Sequence, residues 1–234
     1  MSMKINLKKL DILFLSIESM LYIFILFMDL GKYHRLIAFI SILICFIYVV
    51  LNFKKNNHDD KIMLIAFIAT LSADYFLTLH SKQVLLGTFL FFVSQVFFFL
   101  RIHLSNHKID DKIIIVYTFT YFLCLILLYL IIGYLDLLLI VSLLYYVCLC
   151  LNMIYAWITK HKILLFAIGL TLYVCADFMV GLKSSGSYVT FAQGSIFDIL
   201  IHFPINLIWV FYLPTQILFA LSTTHKKLKE HTYV

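Results

Sequence analysis

Eight runs of apolar residues, each close to the roughly 20 that a helix needs to cross a bilayer, dominate this chain. They fall near 11–29, 36–53, 62–80, 84–101, 113–132, 136–158, 163–182 and 204–222. The chain is 64% apolar and only 13% charged, whereas a soluble domain is about a quarter charged. Water could not cover so much apolar surface, because much of a soluble exterior must face solvent. The sequence therefore predicts an all-α polytopic membrane protein of about eight transmembrane helices, a single domain over residues 1–234.

The connections are short. Asn56–Asp60 and Ile109–Lys112 are polar breaks, and Gly133-Tyr134 leaves spans five and six as a tight hairpin. Only Lys183 to Phe203 is long; after its serines comes an amphipathic stretch that reads as a short interfacial helix. Pro204 suits the first turn of the last helix, and Pro214 is expected to kink it. Asp11 and Glu18 interrupt the first apolar run, so it reads as a retained span rather than a cleaved signal.

Fourteen basic residues, Arg101 and Lys112 among them, fall on one side of the spans and four on the other. The positive-inside rule then puts both termini in the cytoplasm, with the basic loops against anionic membrane lipids. The bias of 16 Lys over 2 Arg hints at an AT-rich genome and a bacterial cell membrane. No basic stripe carries the interleaved aromatics of a nucleic-acid binder. All five cysteines lie inside spans, where they read as small packing residues. No His or Cys pair has metal-site spacing, and no cofactor is expected. Oligomeric state is not legible.

Two short patterns recur four spans apart. Ala73-Asp74-Tyr75-Phe76 in span three parallels Ala176-Asp177-Phe178-Met179 in span seven, and Gln95 in span four parallels Gln216 in span eight. An even offset keeps both copies in one orientation, as in a parallel duplication with halves 1–108 and 109–234. The Asp-to-Gln interval is 21 residues in one half and 39 in the other, a difference of 18 that matches the long connection.

Acidic groups inside the hydrocarbon cost about 2.5–3.5 kcal/mol each on insertion scales and usually face the protein interior. At 1.5 Å per residue, Asp74 lies roughly 18 Å and Asp177 roughly 21 Å from the cytoplasmic face. Gln95 and Gln216 lie slightly deeper, roughly 16 and 18 Å from the outer face. Thr70, Asp74, Thr78 and Ser81 share one helix face; Gly169, Tyr173, Asp177 and Gly181 share another, where the glycines would allow close helix approach. Four helices could thus converge on one polar pocket. The plainer alternative makes each Asp a structural hydrogen-bond partner, of Tyr173 for example, and each Gln an interhelical tie. Glu18, within two turns of the surface, reads as a snorkelling structural residue. Asp29 and Asp136 read as solvated helix ends, His80, Asp198 and His202 as lip residues, and His103, His107 and His161 as members of basic loops.

The run Leu71-Ser72-Ala73-Asp74, the turn at His80–Gln83, and Phe91-Phe92-Val93-Ser94-Gln95 resemble the first signature of the YhhN-type lysoplasmalogenase family. Gly169 to Asp177 is similar to its second motif, and Tyr212-Leu213-Pro214-Thr215-Gln216 to its last-helix motif. Three positions depart from the pattern: Ala73 stands for a glycine, Gln95 for a histidine and Ala176 for a serine. The resemblance implies hydrolysis of the vinyl-ether bond of lysoplasmalogens to a fatty aldehyde and a glycerophospho-alcohol. A lysophospholipid or other lipid would be the substrate, Asp74 and Asp177 the acid–base pair, and Gln95, Gln216, Tyr173 and Tyr212 the residues that position substrate or water. The alternatives are a small-solute or lipid transporter and a lipid-binding protein that keeps the fold without the chemistry.

Overall fold

A computed structural model describes residues 8–28, 30–80, 83–105, 111–158, 164–187 and 189–224. Asp29, Ser81, His107, His161 and most of the terminal and loop lysines lie outside the described residues. Eight helices are long and apolar enough to span a membrane, and the protein is a multi-pass all-α membrane protein. They are α1 (Lys9–Phe27), α2 (His34–Asn52), α3 (His58–Asp74), α4 (Val84–Ser105), α5 (Asp111–Ile132), α6 (Leu137–Ile158), α7 (Leu164–Ser184) and α9 (Leu207–Thr224). The amphipathic stretch after α7 holds the short α8 (Ile196–Ile201), capped by Ser195.

Local signals explain most helix ends. Asn57 caps α3 by accepting from the Asp59 N–H at 3.1 Å, and Asp59 and Asp60 place acidic groups in its first turn. The helix therefore starts at His58, before the apolar run does. Asp136 accepts from Leu139 N–H at 2.7 Å and starts α6. Pro204 does not open the last helix as expected: α9 begins at Leu207, where the Asn206 side chain accepts from the Ile208 N–H at 3.3 Å. A π-helical turn, Tyr75–Leu79, follows α3, and its Leu77 packs against Gly87 of α4, where any Cβ would meet that side chain at 2.6 Å.

The most extensive helix pairings are α7 with α9 and α3 with α4. Between helices small residues admit close approach: Ala38, Ala66, Ala73, Ala176 and Ala220 are fully enclosed, and Gly169 lies against the Phe219 ring. Most span pairings recur shifted by four spans: α1·α2 with α5·α6, α2·α3 with α6·α7, α3·α4 with α7·α9, and α4·α6 with α9·α2; α1·α9 and α3·α9 have no comparable counterpart among the described residues. Gln95 and Gln216 are 121 residues apart. Phe91 and Tyr212, Phe98 and Phe219, and Arg101 and Ser222 share that separation, and the members of each pair touch one another. α5 packs on α6 with no residue of its spanning segment buried.

Three readings from the sequence are corrected inside the bundle. Arg101 is not a free cytoplasmic charge; its side chain is 1% exposed. Its Nε and Nη2 donate to the two Asp59 carboxylate oxygens at 3.0 Å each, and Nη1 donates to Ser222 Oγ at 2.7 Å. Its guanidinium also lies 4.5 Å from the Phe166 ring centroid. One side chain thus ties α3, α4, α7 and α9. His103 belongs to α4 rather than to a loop; it stacks on Phe99, and its Nδ1 lies 3.4 Å from the Tyr155 hydroxyl of α6. Glu18 does not snorkel but is fully enclosed, accepting hydrogen bonds from Ser41 Oγ and, at 3.7 Å, from Cys45 Sγ. The cause is the same in each case: a polar partner on the neighbouring helix makes burial tolerable.

Candidate functional site

Asp74 ends α3 at the point where the helix loosens into the π turn. Its carboxylate is buried and accepts from the Tyr212 hydroxyl of α9 at 2.6 Å. Thr78, one turn on, donates to the Asp74 carbonyl rather than to its side chain. Asp177 projects from the middle of α7, and its carboxylate accepts a hydrogen bond from the Tyr145 hydroxyl of α6.

Tyr173 stands between these two couples. Its ring centroid is 5.5 Å from that of Tyr212 and 6.4 Å from that of Tyr145. Phe91 of α4 closes the group, 5.6 Å from Tyr145, 6.2 Å from Tyr173 and 6.3 Å from Tyr212. Two intramembrane carboxyls, one from each half, are thus joined through packed aromatic rings, and their charges repel when both are ionised. The Tyr173 hydroxyl, wholly buried, has no hydrogen-bond partner among the described residues. A buried hydroxyl of this kind is an open position for a water or a ligand oxygen.

The couples differ in access. Asp177 and Tyr145 line a cavity of about 440 Å³ whose walls are otherwise mainly apolar, with Ser184 and Ser185 toward one end. Asp74 is not on that wall. Gly181, expected to let helices approach closely, instead faces open space on the cavity wall: a Cβ there would meet nothing within 4 Å.

Of the residues expected from the sequence, Asp74, Asp177, Tyr173 and Tyr212 come together. The glutamines do not join them. Gln95 accepts from Asn152 Nδ2 through its backbone and side-chain oxygens, at 2.9 and 3.2 Å. It lines a second cavity, of about 260 Å³, with Tyr117, Cys148 and Asn152. Gln216 is buried in α9, and its Nε2, like that of Gln95, has no partner among the described residues. Tyr145 and Phe91 were missed. A depth argument could have found Tyr145: it lies about 12 Å from its end of α6, and Asp177 about 10 Å from the adjacent end of α7. Among the described residues no three His, Cys, Asp or Glu side chains gather as a metal site would require.

Chemically, the arrangement offers a carboxyl fixed by a phenol at the edge of an apolar cavity, with little water to compete for its proton. Such a group can give a proton to a bound apolar molecule and take one back.

A model of the YhhN family matches residues 33–223, an interval holding both aspartates and all the aromatic residues around them. Neither the curated proteins nor the solved structures compared with the chain gave a match.

Proposed function

Because the chain belongs to the YhhN family, we propose that it hydrolyses the vinyl-ether bond of lysoplasmalogens, releasing a fatty aldehyde and a glycerophospho-alcohol. The observation that carries this reading is Asp177, held by Tyr145 on the wall of an otherwise mainly apolar cavity. Vinyl ethers are cleaved by protonation at carbon, which calls for an acid beside an apolar chain and no metal ion.

In the proposed sequence the Asp177 carboxyl gives its proton to the vinyl carbon remote from oxygen, leaving an oxocarbenium ion. Water adds to the cationic carbon, and the Asp177 carboxylate takes the proton that the water sheds. The hemiacetal then collapses: its carbon–oxygen bond to glycerol breaks, the hydroxyl proton passes to the departing oxygen, and the aldehyde remains. Tyr173, whose ring packs against Tyr145 off the cavity wall, supports that phenol from behind. Asp74, bonded to Tyr212 behind the rings, acts by fixing the tyrosines against which Asp177 is set. With both termini in the cytoplasm, as the basic residues suggest, the reaction would lie nearer the outer face of the membrane.

The test uses two lysolipids that differ in one double bond. Purified protein should release aldehyde from the 1-alkenyl compound and leave the saturated 1-alkyl ether intact, because the latter has no carbon to protonate. Equal cleavage of both would sink the mechanism.

The cavity can be tested through Gly181. Leucine there meets no atom within contact distance of its Cβ, and replacing helical glycine gains about 0.5–1 kcal/mol in propensity. Gly181→Leu should hold or raise the melting temperature while aldehyde release falls about tenfold or more, since the side chain fills the space assigned to substrate. Full activity would detach the cavity from the reaction.

A further inference from the structure

The two cavities lie in line. Val84, Thr88 and Phe91 of α4 line the larger, Gln95 and Phe99 the smaller. Steps of four, three, four and four keep these residues on one helix face. α6 does the same from Leu138, Ser142 and Tyr145 to Cys148 and Asn152, and α5 from Leu128 and Ile132 back to Thr118 and Ile114. The two cavities therefore follow one another along the same faces of α4, α5 and α6, over about 22 Å from Val84 to Phe99. Their third wall, α5, rests on α6 with no residue of its spanning segment fully buried.

The two ends differ. Asp177 lies near the middle, beside Tyr145, and Ser184 and Ser185 lie toward one end. The other is walled largely by apolar side chains such as Phe92, Phe99, Ile114 and Leu144; Asn152 bonds both Gln95 and Tyr117 there, and Gln95 Nε2 alone has no partner among the described residues. From the level of Phe91 and Tyr145 to Phe99 is about 12 Å, near the ~15 Å of one leaflet of hydrocarbon. An amphiphile with one chain, and its polar group at the serine end, matches that gradient and that length.

We propose that the two cavities join into one slot that takes the single hydrocarbon chain of a lysophospholipid: headgroup at Ser184 and Ser185, ether at Asp177, methyl end between Thr118, Cys148 and Phe99. This rests on the reaction proposed above for the position of the ether. The slot then acts as a ruler for chain length.

Two saturated-ether lysophosphocholines test it, one carrying a photoreactive diazirine near the ether, the other at the terminal carbon. In the full-length protein the proximal probe should label residues within 128–145, and the terminal probe residues within 114–121 and 144–152. Labelling of α1 and α2, or one pattern from both probes, overturns the slot. The kinetic counterpart is Thr118→Trp, which blocks the deep end from a helix that buries nothing. Its kcat/KM for a long-chain alkenyl lysolipid should fall about tenfold or more further than that for a short-chain one; equal losses overturn the ruler. If the unaltered protein releases aldehyde from no chain length, the proposed reaction fails, and the cross-linking pattern alone decides the slot.

Discussion

Asp177→Asn should lower kcat/KM for aldehyde release by about 10²–10⁴-fold, the range that a lost general acid–base group removes. Asparagine fills the same space and still offers the Tyr145 hydroxyl an acceptor, so the helix contacts around it persist. What it cannot do is give a proton to carbon or take one from water. Asp74→Asn keeps the bond from Tyr212 and does not alter the cavity wall, so its loss should be smaller and should appear in kcat more than in KM. Tyr145→Phe keeps the ring against Phe91 and removes only the bond to Asp177; it belongs between the two. Enzyme-coupled detection of the aldehyde orders the three variants. An Asp74→Asn protein that releases no aldehyde beside an Asp177→Asn protein that does would exchange the two roles.

The largest effect on stability is expected at Arg101. Breaking a buried pair by removing one partner typically loses about 3–5 kcal/mol, because the other charge stays enclosed without compensation. Arg101→Met would take both guanidinium bonds from the enclosed Asp59 carboxylate and would also free Ser222 Oγ and the Phe166 face from their guanidinium contacts. Lysine would not rescue it, since one ammonium cannot reproduce the two parallel bonds to the carboxylate. The double variant Arg101→Met with Asp59→Asn removes the stranded charge and should recover much of the loss. Equilibrium unfolding in detergent or bicelles reads all three, and an Arg101→Met protein as stable as the parent would show that the pair carries no net stability.

The sequence disclosed depth better than direction. Apolar runs and polar breaks are one-dimensional, so the eight spans, the level of Asp74 and Asp177, and the short helix before α9 could all be located along the chain. Rotation about each helix axis could not. α5 is apolar on every side, and nothing in its pattern says which face meets α6. The same gap hid Tyr145: Tyr146 beside it has equal depth and identical chemistry, and only packing against Phe91 and Tyr173 turns one toward Asp177. It also explains why Gln95 was placed with the aspartates, though its bonds run to Asn152 on the far wall. Arg101 and Glu18 were misread differently. Near the end of an apolar run, a charge that reaches water and one that bonds a neighbouring helix have the same position in the sequence.

The paired contacts between the halves carry a last consequence. We propose that they descend from a parallel duplication, with α4 and α9 facing each other across the relating axis. Two identical chains meeting that way must repeat each side chain against its own copy. A guanidinium at the Arg101 position would then oppose a second guanidinium, and a tyrosine at the Tyr212 position another tyrosine. Fusion into one polypeptide lifts that restriction, and here arginine opposes serine and phenylalanine opposes tyrosine. With Phe91 unable to donate, Asp177 draws its bond from α6 and so comes to border the cavity, while its twin is sealed. On this proposal, broken symmetry between once-equal acids would give such a molecule one reaction centre in place of two.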